Sequence, residues 1–182
     1  MTRKRLKVIL DLDQTLISAE STTKFDFAQN SEKASRFNFH DMNGYYIVFE
    51  RPKLQSFLDY LFENFDVSVW TAASKDYALF IINKVILANP DRKLDWVFFS
   101  YHCGKSKKIK NTSKDLSMLW EVFKIPGYNI DNTVILDDNI EVYNAQPKNA
   151  ILVPAFEFIR RRSHKDDFLK ELTRVLELRA KV

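Results

Sequence analysis

The sequence predicts an α/β fold, a parallel sheet with helices on both faces. Three observations carry this. Short apolar runs fit for buried strands recur at KVIL (7–10), VSVW (67–70), WVFF (96–99), TVIL (133–136) and AILV (150–153). Segments with apolar residues at helical spacing separate most of them, giving the alternation of βαβ units. The runs are apolar at nearly every position, as strands covered on both faces are.

Taken in order, residues 6–10 form the first strand. Residues 18–35 are rich in Ser, Thr, Lys and Asn and predict a surface excursion. RFNFHDMNGYYIVFE (36–50) predicts a hairpin with Asn43-Gly44 near its turn. It departs from the β-α rhythm and reads as an insertion, about 18–50. Pro52 suits the first turn of a helix, with Leu54, Phe57, Leu58, Leu61, Phe62 and Phe65 on its inner face. Ser74 is a candidate N-cap for a helix facing inward through Ala78, Ile81, Ile82, Val85 and Ile86. Residues 104–114 read as a lysine-rich loop. Leu116, Leu119, Trp120 and Phe123 mark a helix stopped by Pro126-Gly127, and 164–179 an amphipathic helix.

With 182 residues, 46% apolar and 29% charged, the chain suits one globular domain spanning 1–182 with a full core. Its apolar runs are too short to span a membrane, and the first meets Asp11 too soon for a signal peptide. The single cysteine, Cys103, forms no internal disulfide, which suits a reducing compartment, cytoplasmic or nuclear. The net charge of +4 gathers in RKRLK (3–7), GKSKKIKNTSK (104–114) and RRRSHK (160–165). Such clusters favour an anionic partner, a phosphoprotein, a nucleic acid or a phosphorylated small molecule, or are solvated loops.

Three strands end in polar groups. KVIL delivers Asp11, with Asp13 and Thr15 beyond it; VSVW delivers Thr71; TVIL delivers Asp137 and Asp138. In a parallel sheet these ends share one edge, where open α/β folds bind ligands. Four carboxylates gathered there repel one another, and hard oxygen donors of this kind suit Mg²⁺. Two other motifs do not complete. GKS (104–106) lacks the earlier glycine of a phosphate-binding loop, position 99 being Phe. His102-Cys103 lacks the arginine of a cysteine phosphatase, position 109 being Ile, and is too little for zinc.

DLDQT, WTAAS, SKDLSMLW and VILDDN resemble, in order, motifs I to IV of the haloacid-dehalogenase superfamily. YYIVFERPKLQSFLDYL and VILDDNIEVYNAQPKNAILVPAF narrow the resemblance to its FCP/SCP-type phosphatases, which act on the C-terminal domain of RNA polymerase II. It covers roughly residues 6–158. It implies a Rossmann-like, haloacid-dehalogenase-like sheet with a small insertion after motif I and no large cap. It implies that Asp11 is the nucleophile and that Asp13 is the acid and base, its main-chain carbonyl a ligand of Mg²⁺. By the same resemblance, Thr71 and Lys114 would hold the phosphoryl oxygens. Thr15, grouped with them in the substrate site, braces the loop. The resemblance likewise implies that Asp138 is the acidic metal ligand, with Asp137 beside it ordering the lysine or the metal's waters, giving an expected metal set of Asp11, Asp13, Asp137 and Asp138. The implied substrate is phosphoserine or phosphothreonine in a protein, with Phe37, Phe39, Tyr45 and Tyr46 either facing a peptide or packing the hairpin. A phosphatase of nucleic-acid ends, a small-molecule phosphatase and a catalytically silent binding module are the rival readings.

Overall fold

A computed structural model describes residues 5–180; the start of the first basic cluster, Arg3 and Lys4, lies outside them. Strand β1 (Lys7–Leu10) leads into β2 (Ile17–Ser21), and the short helix α1 (Ser31–Ala34) precedes the hairpin of β3 (Phe39–Met42) and β4 (Tyr46–Glu50). Next come α2 (Leu54–Asn64), β5 (Asp66–Trp70), α3 (Lys75–Ile81), β6 (Val97–Phe98) and α4 (Ser100–Lys110). The chain ends with β7 (Thr133–Asp137), α5 (Ile140–Ala145), β8 (Ala150–Leu152) and α6 (Phe168–Arg179). The main sheet is parallel in the order β6-β5-β1-β7-β8, and β2-β4-β3 form a second, antiparallel sheet. The α/β expectation holds.

The pleat explains the core. Val8 and Leu10 of β1, Val67 and Val69 of β5, and Val134 and Leu136 of β7 face α2, α3 and α6. The alternate residues Ile9, Trp70 and Ile135 face Leu116, Met118, Leu119 and Val142 on the other side. Ser68 is the polar exception in this row, and its hydroxyl is matched to the Tyr128 hydroxyl at 2.7 Å. A third, aromatic core underlies the small sheet, with Phe49 and Phe158 stacked at 3.7 Å and Phe25 and Phe37 edge-on to them.

Several local expectations are corrected. Residues 18–35 are not simply a surface excursion: 17–21 is a strand paired with β4, and Ser18 is buried, its hydroxyl accepting the Phe158 N–H. The segment 104–110 is helical, not loop, with Cys103 and Ser106 buried and the lysines outward. Pro52 precedes its helix, because Lys53 stands in the left-handed region at φ 66° and α2 begins at Leu54. Ser74 holds the N-cap position of α3 without a side-chain cap bond. The segment after Leu116 is a π-helical turn, Met118–Val122, and the last helix starts at Phe168 after a 3₁₀ turn. The hairpin turns through Asn43 and Gly44, both at positive φ, which Asn and Gly tolerate best.

Candidate active site

Strand order reverses beside β1: the chain steps outward through β5 and β6, then returns to place β7 on the other flank. The carboxyl ends of β1 and β7 therefore border a topological switch point. Past Leu10 the chain turns sharply, with Gln14 in the left-handed region at φ 61°. Leu16 and Ile17 both donate their N–H groups to the Leu12 carbonyl. A non-glycine residue held there costs on the order of 1–3 kcal/mol, and the turn sets Thr15 under Asp11.

Thr15 is fully buried. Its hydroxyl lies 3.1 Å from Asp11 Oδ2 and 3.2 Å from Asp138 Oδ1, and it accepts the Asp138 N–H at 3.1 Å. With these partners its role is to fix two carboxylates. Lys114 Nζ donates to Asp11 Oδ1 at 2.6 Å and to Asp137 Oδ2 at 2.7 Å. The other Asp137 oxygen accepts the Asn139 N–H at 2.9 Å. Burial alone works to lower the Lys114 pKa, but the two carboxylates override it and hold the ammonium above its usual range. Asp137 is pushed up by burial and by Asp11 against the pull of Lys114, and Asp138 by burial and Asp11 against Thr15.

The loop that carries Lys114 is pinned from both sides. Gln146 donates Nε2 to the Lys114 carbonyl and accepts the Leu116 N–H. Ser106 of α4 donates to the Thr112 carbonyl and accepts the Asp115 N–H. That is the work of the serine in GKS. Gly104 has open space where a Cβ would stand, so no phosphate cradle is built there. His102 accepts the Phe99 N–H through Nδ1, and Cys103 donates its thiol to the Thr71 carbonyl at 3.5 Å. Thr71 itself is buried at the end of β5, its hydroxyl accepting the Ala73 N–H.

Asp13 stands apart. The ligand atoms of Asp11, Asp137 and Asp138 lie within 4.8 Å of one another, but the Asp13 carboxylate accepts the Tyr77 hydroxyl at 2.5 Å. This leaves its main-chain carbonyl for any ligand role. Burial raises Asp13 to about 6, opposed by the Tyr77 hydrogen bond. Sequence reasoning misses Tyr77: it belongs to the helix read from its apolar spacing, and nothing in that spacing singles out its hydroxyl. Arg51 is missed as a site residue too, although it begins the RP pair of the family resemblance. It is buried, paired with Asp166 through two 2.8 Å bonds, and donates to the Thr15 and Pro154 carbonyls. It ties the motif I turn to the chain after β8 and to the start of α6.

Of the hairpin aromatics, Phe37 is core and Phe39 packs on Phe27 and Phe49. Tyr45 is 71% exposed, and with Tyr46, Met42, Ser74 and Tyr77 it lines an open groove of about 510 Å³ that reaches Asp13.

Comparison with known proteins agrees with this geometry. The model of the family described as NLI interacting factor-like phosphatase matches residues 6–182. The chain is 45% identical over 174 residues to the CTD phosphatase-like protein 355R of Invertebrate iridescent virus 6, covering 93% of this chain and 96% of that protein. It is 42% identical to the corresponding protein of Invertebrate iridescent virus 3, covering 96% of each. Among solved structures, that of Fcp1, an RNA polymerase II CTD phosphatase, superposes with a TM-score of 0.59 at 23% identity. That match covers 98% of this chain and 49% of Fcp1, so the chain spans about half the length of that structure. A parallel sheet with aspartates at its switch point, a match over nearly the whole chain and these relatives agree, and the chain belongs to the NLI interacting factor-like phosphatase family, of the FCP/SCP type within the haloacid-dehalogenase superfamily.

Proposed function

We propose that this phosphatase removes phosphate from phosphoserine or phosphothreonine in a protein through an aspartyl-phosphate on Asp11. One observation carries the reading: buried Asp11 has one oxygen on Lys114 at 2.6 Å and the other on Thr15 at 3.1 Å. A carboxylate so held is oriented for attack beside the cation that would neutralise phosphoryl oxygens. Asp11 forms the new bond to phosphorus as the seryl oxygen leaves, and that oxygen takes the Asp13 proton. Asp13, now a carboxylate, then takes a proton from the water that displaces phosphate from Asp11. A carboxyl raised to about 6 serves in both directions near neutral pH. Thr71, at the neighbouring strand end, and Lys114 would bind the phosphoryl oxygens.

The donor set fits Mg²⁺: clustered hard carboxylate oxygens, with a single lysine to offset them. Asp11, Asp138 and the main-chain carbonyl of Asp13 would hold it, with Asp137 ordering Lys114. When bound, Mg²⁺ would relieve carboxylate repulsion and withdraw charge from the phosphoryl group. The groove beside Asp13 is open enough for a peptide, which supports a protein substrate. Since relatives are named for it, the RNA polymerase II C-terminal domain is the first such substrate to try, in the cytoplasm or nucleus where Cys103 stays reduced. We take residues 1–182 as one catalytic domain with its insertion at about 18–50.

The test is hydrolysis of p-nitrophenyl phosphate and of phosphoserine peptides, with Mg²⁺ or EDTA, by the protein and by Asp11→Asn. Turnover is expected only for the unmodified protein with Mg²⁺. Turnover that survives in Asp11→Asn removes Asp11 as nucleophile. Faster release of phosphate from 3′- or 5′-phosphorylated oligonucleotides than from peptides moves the substrate to nucleic-acid ends.

A further inference from the structure

A second groove, of about 440 Å³, lies along the outer edge of the main sheet, away from the carboxylates. Val97 and Phe98 of β6 line it together with Tyr101 and His102 of α4 and Phe123 and Ile125 of the turn beyond Val122. It is a built slot. Phe98 and Phe123 stack at 5.9 Å with His102 edge-on to both. Yet Trp96 at its end is 46% exposed and Tyr101 on its wall 59%. Two large aromatics left in water around an apolar slot mark a surface for a partner.

Charge says which partner. Lys105 stands over the Tyr101 ring at 5.3 Å, and Lys124 lines the slot from the other side. Lys124 follows Phe123 at a left-handed φ of 55°. Lys108, three residues on from Lys105, continues this face of α4 and has no ion pair among the described residues. No Asp or Glu occurs from Trp96 to Ser113. The acids that flank these segments in sequence have partners of their own: Asp95 with Lys7 and Tyr128, Glu121 with Lys110, and Asp115 with the Ser117 N–H.

We infer that this groove is a docking site for an acidic peptide segment of a partner protein, one that inserts a bulky apolar side chain between α4 and the 123–126 turn. The slot supplies a desolvated pocket for the anchor and the lysines supply steering and register. A concave, apolar slot favours an inserted side chain over the flat aromatic platforms on which single-stranded nucleic acid stacks. None of its lining residues belongs to the carboxylate site, so a docked segment and a phosphoryl group bind together. On its opposite face, α4 holds the Thr71 carbonyl through Cys103 and the Lys114 loop through Ser106.

The test is fluorescence anisotropy of the full chain with four labelled probes: an Asp/Glu-rich peptide bearing Phe and Leu anchors, the same peptide with Lys for its acids, the same with Ala for its anchors, and an oligo-dT of similar length. Only the first is expected to saturate, with affinity falling as salt rises. The double variant Lys105→Glu/Lys124→Glu and the single variant Tyr101→Ala are each expected to weaken it by about tenfold or more. Lys165→Glu, on another face, is expected to leave binding unchanged. Melting temperature and p-nitrophenyl phosphate turnover should stay unchanged in the groove variants, showing that the fold and the carboxylate site are intact. No saturable binding, equal binding of the anchor-free peptide, tighter binding of oligo-dT, or insensitivity to the groove variants would each overturn the inference.

Discussion

Removing the Tyr77 hydroxyl tests how the proposed acid and base is held. Tyr77 Oη donates to Asp13 Oδ1 at 2.5 Å, and Asp13 is raised to about 6 by burial against the pull of this bond. A hydrogen bond to a carboxylate favours its charged form, so in Tyr77→Phe the carboxyl should keep its proton to higher pH. A bond to a charged group is worth about 1.5–3 kcal/mol. At about 1.4 kcal/mol per pKa unit, its lower end moves Asp13 by about one unit; that end applies because Asp13 is only partly shielded from solvent. Any metal acts on both proteins, so the difference between them survives its presence. The assay is kcat against pH at fixed Mg²⁺ on a phosphoserine peptide. The step that needs Asp13 as a base fails first at low pH. The acid limb should therefore move up by about one unit, with turnover near pH 6 down by about fivefold, approaching tenfold at lower pH, and the two curves converging above pH 8. A burst of product below pH 6 would accompany it on p-nitrophenyl phosphate, as phosphorylated Asp11 accumulates. Superimposable acid limbs, or a uniform loss at every pH, would refute the reasoning and leave Tyr77 a packing residue.

Arg51→Met strands the Asp166 carboxylate and the Thr15 and Pro154 carbonyls; by the cost of breaking a buried ion pair it should lose about 3–5 kcal/mol, read from urea unfolding, with Asp166→Asn losing less. Glu50 is held below its ordinary value of 4.5, because hydrogen bonds from His40 and Gln55 outweigh its burial. Its contribution is therefore complete above pH 4.5 and lost as pH falls through the lower folded value, so Glu50→Gln should lower the melting temperature at pH 7 and do so progressively less as pH falls below 4.5. Mg²⁺ at about a hundred times its Kd should stabilise the fold by about 2.7 kcal/mol, and Asp138→Asn should abolish most of that shift in thermal melts without reference to activity.

The parallel sheet is legible because strands buried on both faces are apolar at successive positions, as in Val8-Ile9-Leu10 and Val134-Ile135-Leu136. A polar residue at the end of such a run stands out by contrast, as Asp11, Thr71 and Asp137 do. Strand β2, ISAES, offers no such contrast, since Ser18 is buried through a hydrogen bond to backbone rather than by apolarity. Helix α4 buries only Cys103 and Ser106, so no apolar stripe marks it and its lysines read as loop. The hydrogen bond of Tyr77 to Asp13 spans 64 positions and the Arg51 pair with Asp166 spans 115. Each joins residues that are ordinary in their own segments, so only the folded chain reveals them.

The four aspartates at this edge divide the available donors unequally. Asp11 and Asp137 share the Lys114 ammonium, and Asp11 and Asp138 share the Thr15 hydroxyl. The Lys114 charge pulls against the burial that raises Asp137, and the Thr15 hydroxyl pulls likewise on Asp138. Asp13 instead takes a neutral phenol, which stabilises its carboxylate without compelling it. Burial raises its pKa to about 6, which suits the acid and base role proposed for it. The site works by pairing as much as by composition, and the pairing depends on the Gln146 and Ser106 contacts that fix where Lys114 points.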